Sequence, residues 1–190
     1  MIRAVIFDCF GVLVGRGFWH MYQDAGGDIV RDIDFINGWL NQLSLGTTTS
    51  EAMDEAMAGK LGISIANWRE HLSHDEAPNA DVFHFIESKL HGHYKLAVLS
   101  NANRGVLERK IPGNLLGLFD ERIVSAEVGL IKPDPAIFRL VLERLRVAPH
   151  EAVFTDDHQA YLAGADEIGM HTILYKDLAY FQQEFAGLLS

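Results

Sequence analysis

Short apolar runs recur along the chain, and each is followed by a stretch in which apolar residues return at helical spacing. The runs predict buried strands at residues 4–7, 95–99, 122–125, 152–155 and 171–175. Strands that alternate with helices predict an α/β fold with a doubly wound parallel sheet and right-handed crossovers. Because ligands of such sheets bind outside the carboxyl ends of the strands, polar residues at those ends are the first candidates for a site.

The segment between the first two predicted strands has a different character, because its pattern is helical throughout. Its clearest helix carries apolar residues at helical spacing: Ile29, Ile33, Ile36, Leu40 and Leu43. An insertion of this length exceeds an ordinary crossover. We therefore predict a separate helical subdomain over residues 15–78, lying above the site, and an α/β core built from residues 1–14 and 79–190.

Composition and charge narrow the class of protein. The chain has 190 residues, of which 48% are hydrophobic, and this is enough for one well-buried core with a small accessory unit. A formal net charge of -10 disfavours nucleic acid or an anionic membrane surface as a partner. No apolar run reaches membrane-spanning length and no cleavage signal follows the first run. Cys9 is the only cysteine, which excludes an intramolecular disulfide and favours the cytoplasm; we expect it to be packed rather than reactive.

Two strand ends carry groups suited to an anionic substrate. Asp8 is the first charged residue after the first apolar run, and Gly11 permits a sharp exit that leaves the carboxylate accessible. Asp is also a common turn residue, so this position alone does not decide between a site and a turn. Ser100 and Asn101 follow the second strand and supply a hydroxyl and backbone N–H groups for an anion, although such residues equally form helix N-caps.

The second half of the chain adds a lysine and a pair of carboxylates. Lys132 lies in a loop stiffened by Pro133 and Pro135, where an exposed lysine is the ordinary alternative. Asp156 and Asp157 end the fourth predicted strand. Adjacent carboxylates repel each other unless water or a cation solvates them, so a metal ion is the sharper explanation.

Taken in order, four stretches resemble the motifs of the haloacid dehalogenase superfamily: residues 7–13, 99–101, 129–135 and 154–157. The resemblance covers the chain from end to end. It implies a Rossmann-type core with a small helical cap inserted after the first motif. The third and fourth motifs look most like the subfamily that contains small-molecule phosphatases and 2-haloacid dehalogenases.

The resemblance also implies roles for individual residues. Asp8 resembles the nucleophile, Ser100 the phosphate-binding hydroxyl, and Lys132 the lysine that neutralises charge. From its place after the second strand, Asn101 is a further candidate to donate a hydrogen bond to the phosphate. Asp8, Asp156, Asp157 and the backbone carbonyl of Phe10 resemble the ligands of Mg²⁺. These groups suit phosphoryl transfer, because a carboxylate nucleophile splits one difficult displacement into two easier ones.

One departure from the family pattern affects the activity. Relatives that act as phosphatases usually carry a second aspartate, a general acid and base, where this chain has Phe10. We therefore predict a Mg²⁺-dependent phosphatase of a small phosphorylated metabolite, acting through an aspartyl-phosphate on Asp8 and preferring activated leaving groups. The alternatives are a metal-independent 2-haloacid dehalogenase, which Phe10 favours and the pair Asp156 and Asp157 disfavours, and a catalytically weak binding protein on the same fold.

Several neighbouring residues remain candidates without an assigned orientation. His158 is a hypothetical substitute for the missing acid because it follows the paired carboxylates, and Tyr161 stands where many relatives carry a small or amide residue. In the helical segment, Trp19, His20 and Tyr22 are possible substrate contacts. The sequence leaves a monomer and a homodimer equally open.

Overall fold

The computed structural model describes residues 1–15, 18–73 and 77–189, and its centre is a five-stranded parallel sheet. The strands are β1 (Ala4–Phe7), β2 (Lys95–Ser100), β3 (Glu121–Val124), β4 (Ala152–Asp156) and β5 (His171–Leu174). Their order in the sheet is β3-β2-β1-β4-β5, which makes β1 the central strand. Phe7 pairs with Val98 on one side and with Thr155 on the other, so the ends of β1 and β4 lie together.

Helices connect the strands and extend the first connection. In chain order they are α1 (Phe18–Asp24), α2 (Ile29–Ser44), α3 (Ser50–Leu61), α4 (Ile65–Ser73), α5 (Ala80–Phe85), α6 (Val106–Lys110), α7 (Gly113–Leu116), α8 (Ser125–Val128), α9 (Pro135–Leu145), α10 (Gln159–Glu167) and α11 (Leu178–Gly187). None of these described helices combines the length and the apolar character that crossing a membrane requires.

Helices cover both faces of the sheet. Since successive residues of a strand point to opposite faces, each strand contributes side chains to both layers. Val5 and Phe7 belong to one hydrophobic cluster, with α5, α6, α7 and α11, whereas Ala4 and Ile6 belong to a second, with α9 and α10. Cys9 is buried in the first cluster, where burial and the nearby Asp8 raise the pKa of its thiol. Helices on both faces of a parallel sheet confirm the predicted α/β fold class.

The helices α1 to α4 have a hydrophobic cluster of their own. Its buried members are Tyr22, Ile36, Met53, Met57, Ala58 and Trp68. A buried carboxylate, Asp32, accepts hydrogen bonds from the Tyr22 hydroxyl at 2.9 Å and from Arg31, and Lys60 lies 3.1 Å away. These partners hold the pKa of Asp32 well below its usual range, so the charge is retained inside the helical segment.

The chain leaves the sheet and returns to it at nearly the same point. Gly15 donates its N–H to the carbonyl of Ala77 at 3.1 Å, and Asn79 donates to the carbonyl of Leu13 at 2.8 Å. The described part of the helical segment is thus joined to the sheet by two paired chain segments. The predicted subdomain boundary at residues 15–78 stays a prediction, and residues 16–17 and 74–76 within it lie outside the described residues.

The observed elements differ from the predicted ones mainly in the connections. The helix predicted from Ala80 to Leu90 is α5 followed by a π-helical turn (Ile86–Leu90), in which the N–H of His91 reaches the carbonyl of Ile86 at 2.8 Å. Ser125, predicted as the end of the third strand, begins α8. The helices α6, α7 and α8 have only four or five residues, too few to show a helical period in the sequence.

Gly164 allows α10 to approach the loop that carries Lys132. A Cβ at this position would lie 1.7 Å from the carbonyl oxygen of Pro133. Alanine normally stabilises a helix interior relative to glycine, by about 1 kcal/mol. We expect Gly164→Ala to lower the free energy of unfolding by about 1–3 kcal/mol instead, because the added methyl overpacks the contact. Urea unfolding measures the change.

Gly38 in α2 provides the matched control, since a Cβ there meets nothing within 4 Å. Gly38→Ala is expected to leave the protein as stable as the wild type or slightly more stable. Equal effects of the two substitutions would contradict the close approach at Gly164.

Candidate active site

Asp8 stands directly after β1, at the edge where β4 also ends. Its N–H donates to the carbonyl of Thr155 at 2.9 Å, which extends the pairing of the two strands by one residue. Its buried side chain lines a cavity between the sheet and the helical segment. The central strand therefore fixes the position of this carboxylate.

Lys132 is buried between two carboxylates and two aromatic rings. Its ammonium group lies 2.7 Å from Oδ1 of Asp8 and 2.6 Å from Oδ2 of Asp156. The rings of Phe154 and Tyr161 each have their centroids 5.2 Å from the same nitrogen. With only 1% of the residue exposed, the exposed loop lysine considered as an alternative is excluded.

The electrostatic surroundings keep Lys132 charged. Burial alone would lower its pKa, but the carboxylates of Asp156 and Asp8 more than offset this, and the pKa of Lys132 is raised above its usual value. An ammonium group has three hydrogens, of which these two carboxylates take two. Lys132 also belongs to the lining of the cavity, and contact of its ammonium group with an anionic ligand stays a prediction.

Asp156 and Asp157 turn to different surroundings at the end of β4. Asp156 is fully buried, and its Oδ1 accepts the N–H of His158 at 2.8 Å. Asp157 is half-buried and lines the cavity. Its carboxylate lies against Gly11, where a Cβ would come within 2.1 Å of Oδ2. Gly11 has φ +82°, a backbone conformation that favours glycine, and a side chain there would displace the carboxylate of Asp157.

The carboxylates of Asp8, Asp156 and Asp157 form one group, in which each offers an oxygen within 4.8 Å of the others. Burial and the charge of Asp156 raise the pKa of Asp8 to about 8 and that of Asp157 to about 6. A divalent cation among these oxygens would favour the ionised carboxylates, and Mg²⁺ prefers such ligands. The donor set therefore fits Mg²⁺.

Phe10 lines the same cavity, at the position where the family's phosphatases usually carry a second aspartate. The backbone turns tightly here, because Gly11 donates its N–H to the carbonyl of Val14 at 2.8 Å. The predicted metal ligand at this position is the Phe10 carbonyl, which the side chain does not alter. That role stays a prediction.

Ser100 and Asn101 lie at the end of β2, but they differ in their surroundings. Ser100 is fully buried and outside the cavity lining, and its Oγ has no hydrogen-bond partner among the described residues. Asn101 lines the cavity, yet its side chain binds the backbone of Lys132: Nδ2 donates to the carbonyl at 2.9 Å, and Oδ1 accepts the N–H at 2.8 Å. Asn101 thus positions the lysine loop. Contact of either residue with a phosphate stays a prediction.

The chain matches the family of haloacid dehalogenase-like hydrolases over residues 2–169. The chain belongs to this family. The resemblance carried by the four sequence motifs is confirmed, and the matched span contains every site residue described above. The α/β fold described above agrees with this membership.

Relatives of the hydrolase bear different activities in their names. Bifunctional epoxide hydrolase 2 of Rattus norvegicus is 48% identical over 61 residues, which are 32% of this chain and 11% of that protein. (S)-2-haloacid dehalogenase 1 of Pseudomonas sp. is 25% identical over 90% of this chain and 83% of its own length. Phosphorylated carbohydrates phosphatase of Thermotoga maritima is 27% identical, with 90% and 84% covered. The hydrolase thus spans about a tenth of the epoxide hydrolase, and its family membership leaves phosphatase and dehalogenase chemistry open.

Solved structures share the fold over the full length of the chain. A HAD-like hydrolase from Porphyromonas gingivalis has a TM-score of 0.71 and 27% identity, with 100% of this chain and 98% of that chain covered. A HAD-family enzyme from Bacteroides thetaiotaomicron, solved with magnesium and inorganic phosphate, has a TM-score of 0.66 and 21% identity, with 95% and 99% covered. The second likeness concerns the fold alone.

The helical segment of the hydrolase contacts the site loop through an aromatic stack. The ring of Trp19 lies 4.9 Å from that of His158 at an interplanar angle of 15°, and the ring of Tyr161 lies 4.7 Å from His158 on the core side. Trp19 also lines the cavity, whereas Tyr22 is buried against Asp32 and His20 lines a separate groove. Of the three candidates in the segment, Trp19 alone is placed toward Asp8.

The surroundings of His158 do not favour its hypothetical role as the missing acid. Its ring is outside the cavity lining, and its Nδ1 is buried with no partner in the described part of the chain. Burial lowers its pKa, so the ring is neutral at pH 7 and poorly suited to protonate a leaving group.

Two contributors to the site were missed in the sequence. Ser125 accepts the N–H of Ala102 at 2.9 Å and donates its hydroxyl to the same residue's carbonyl at 3.1 Å, which fixes the loop after β2. Phe154 lies under Lys132 from within β4. Nothing in the sequence around Ser125 indicated a role at the site. The position of Phe154, two residues before Asp156 on the same strand, could have indicated that it lies near the site.

Proposed function

We propose that this hydrolase is a Mg²⁺-dependent phosphatase that acts on a small phosphorylated compound through an aspartyl-phosphate on Asp8. The observation that carries the proposal is the group formed by Asp8, Asp156 and Asp157, whose oxygens lie within 4.8 Å of one another. A reaction without a metal would leave these charges to oppose an anionic substrate. The net charge of -10 further supports a small molecule rather than nucleic acid as the partner.

Asp8 takes part in both steps of the proposed reaction, first as the nucleophile and then as the leaving group. An oxygen of its carboxylate forms a bond to phosphorus while the bond from phosphorus to the leaving oxygen breaks, and the leaving group takes the electron pair. Water then attacks the phosphorus of the aspartyl-phosphate, and the bond from phosphorus to the Asp8 oxygen breaks with its electron pair returning to the carboxylate. Inorganic phosphate leaves with the protons of the attacking water, and Asp8 is restored. Lys132, 2.7 Å from Asp8, stabilises negative charge on the transferred group throughout.

Mg²⁺ would be held by Asp8, Asp156, Asp157 and the carbonyl of Phe10, and when bound it would neutralise charge on Asp8 and on the phosphoryl oxygens. Ser100 lies outside the cavity lining, and its assignment to the phosphate side of the site rests on the unpartnered state of its buried hydroxyl, which is a rare feature. The helices α1 to α4 act as the cap of this site.

Phe10 determines which leaving groups depart readily. General acid catalysis contributes typically about 10²–10⁴ in rate, and phenylalanine donates no proton. The leaving group must therefore depart as its anion or take a proton from water. This favours aryl phosphates and acyl phosphates over alkyl phosphates.

A 2-haloacid dehalogenase is the second candidate, and the apolar surroundings of Asp8 favour it. Phe10, Phe18 and Trp19 line the cavity beside the carboxylate, as suits a haloalkyl group. Displacement of halide by Asp8 needs no proton donor. Against this, Asp157 faces the same cavity and would repel the carboxylate of a haloacid.

Parallel assays separate the two reactions. We expect p-nitrophenyl phosphate to be hydrolysed in the presence of Mg²⁺ and the rate to fall at least about 10²-fold in excess chelator, since the metal stabilises charge that develops in the transition state. Chloride release from 2-chloropropionate is expected to be absent. Full phosphatase activity in chelator, or halide release without phosphatase activity, would exclude the proposal.

Phe10→Asp restores an acid at the position that lacks one. We expect this variant to hydrolyse an alkyl phosphate about 10²–10⁴ times faster than the wild type, with a smaller gain on p-nitrophenyl phosphate. Phe10→Asn is the matched control, because it has nearly the same shape and no transferable proton. The ratio of kcat for the two substrates measures the effect, and equal gains for Asp and Asn would show that removal of the ring alone is responsible.

A further inference from the structure

The cavity above Asp8 is apolar on the side of the helical segment. Its volume is about 340 Å³, with Asp8, Lys132 and Asp157 at one end. The rest of the lining is mostly apolar, although the charged residues Asp54, Arg109 and Lys110 are also part of it; its large apolar side chains are Phe18, Trp19, Leu40, Leu43, Met53 and Trp68. Pockets with apolar walls and a few charged groups at one end bind amphipathic small molecules.

Most polar side chains on these walls are already bonded to other protein groups. Oγ of Ser50 accepts the Nδ2 hydrogen of Asn103 at 2.8 Å, and Oδ1 of Asn103 accepts a hydrogen from Arg109 at 3.1 Å. Asp54 accepts the indole N–H of Trp68 at 2.9 Å and the Nε hydrogen of Arg69 at 3.1 Å. A hydroxyl-rich ligand would lose water here and would compete with these bonds, which is unfavourable.

We propose that the cavity takes the apolar organic part of a phosphate monoester, an alkyl or aryl group, in preference to a sugar. This inference rests on the proposed function for the phosphate end of the cavity. Trp19, stacked on His158, forms the wall that joins the helical segment to the loop of Asp157. The substrate class is thus determined by the walls of α1 to α4, whereas the reaction is determined by the sheet edge.

Binding of n-alkylphosphonates tests the inference without catalysis, since their phosphorus–carbon bond resists hydrolysis. Methyl-, butyl-, hexyl- and octylphosphonate are titrated in Mg²⁺ while the intrinsic tryptophan fluorescence is followed, since Trp19 and Trp68, two of the three tryptophans, line the cavity. We expect Kd to fall about fourfold per added methylene for as long as the chain lies against the apolar walls. A Kd that does not depend on chain length, or the absence of binding across the series, would overturn the inference.

Two substitutions on the same helix segment provide a matched comparison. Leu43→Asn places an amide in the cavity wall, whereas Leu45→Asn changes a neighbour that is 44% exposed and outside the lining. We expect the first to weaken hexylphosphonate about tenfold or more without weakening methylphosphonate, and the second to leave both unchanged. Equal losses for both phosphonates in Leu43→Asn would place the alkyl group elsewhere. If Leu43→Asn does not fold, the wild-type chain-length series decides alone.

Turnover of acetyl phosphate distinguishes failure of the inference from failure of the proposed function. Its leaving group is small and activated, so its hydrolysis reports on Asp8 chemistry with little use of the cavity. Hydrolysis of acetyl phosphate with no chain-length effect on phosphonate binding would keep the phosphatase and exclude the apolar substrate. Chain-length-dependent binding without hydrolysis of acetyl phosphate or of hexyl phosphate would keep the apolar cavity and exclude the phosphatase.

Discussion

Asp8→Asn is expected to lower the rate of phosphate release by at least about 10⁴-fold, because an amide does not replace the carboxylate as nucleophile. The substitution keeps the shape of the side chain and its place after β1. It removes one of the two carboxylates on Lys132 and leaves Asp156 as a partner at 2.6 Å. The fold is therefore expected to survive, and circular dichroism checks this.

The measurement combines steady-state rates with mass spectrometry of acid-quenched enzyme. Wild-type protein is expected to carry a phosphoryl group on the peptide that contains Asp8, and the variant none. Asp28→Asn serves as control, since Asp28 is an exposed N-cap residue of α2 and asparagine caps a helix equally well. Phosphorylation of a different residue in the wild type would contradict the assignment of Asp8.

Lys132→Met is expected to cost both activity and stability, because it leaves Asp8 and Asp156 buried without their cation. Removal of one partner from a buried ion pair typically lowers the free energy of unfolding by about 3–5 kcal/mol. Activity is expected to fall by about 10²–10³-fold, as for the loss of one group that stabilises transition-state charge. Urea unfolding and p-nitrophenyl phosphate turnover measure the two effects.

The pH dependence of this variant distinguishes an electrostatic cause from a packing defect. Burial already raises the pKa of Asp8 to about 8, and Lys132 opposes that rise. Without the lysine the pKa of Asp8 rises further, so the folded state increasingly favours the protonated acid. When the pKa of a carboxyl group is higher in the folded state than in the unfolded state, the free energy of unfolding falls as the pH rises from the unfolded pKa to the folded pKa. A higher folded pKa of Asp8 extends this fall to higher pH. The destabilisation by Lys132→Met is therefore expected to be larger at pH 9 than at pH 6.

Lys176→Met is the control for loss of a lysine, since Lys176 is exposed and its ammonium lies over Tyr180. Its effect on stability is expected to stay within about 0.5 kcal/mol at both pH values. A destabilisation of Lys132→Met that is the same at pH 6 and pH 9 would indicate that packing, rather than charge, accounts for it.

The sequence predicted the parts of the site that depend on strand order. Parallel strands end at a common edge, so Asp8, Asp156 and Asp157 could be placed together from the ends of their apolar runs. Lys132 was harder to place, because its loop has no period. Its position depends on Asn101, whose amide bonds the lysine backbone on both sides, and on the close contact of Gly164 with Pro133.

Contacts across the cavity could not be predicted from the sequence. Helical spacing in α1 identifies its apolar face but not the direction in which that face points, so Trp19, His20 and Tyr22 were equivalent candidates. Their separation depends on tertiary packing: Tyr22 binds Asp32 in the segment's own core, and Trp19 stacks on His158. The same limit applies to the short helices α6 to α8, whose single turns show no period.

The pairing of Gly15 with Ala77 and of Leu13 with Asn79 brings the entry and the exit of the helical segment within hydrogen-bond distance of each other. The free-energy cost of closing a loop grows only slowly with its length, so an insertion between such neighbouring ends costs little. We therefore expect that a segment of different length or composition can be grafted at this junction without moving β1 or α5. Such a graft would change the walls of the cavity while the carboxylates and the lysine at the sheet edge keep their places.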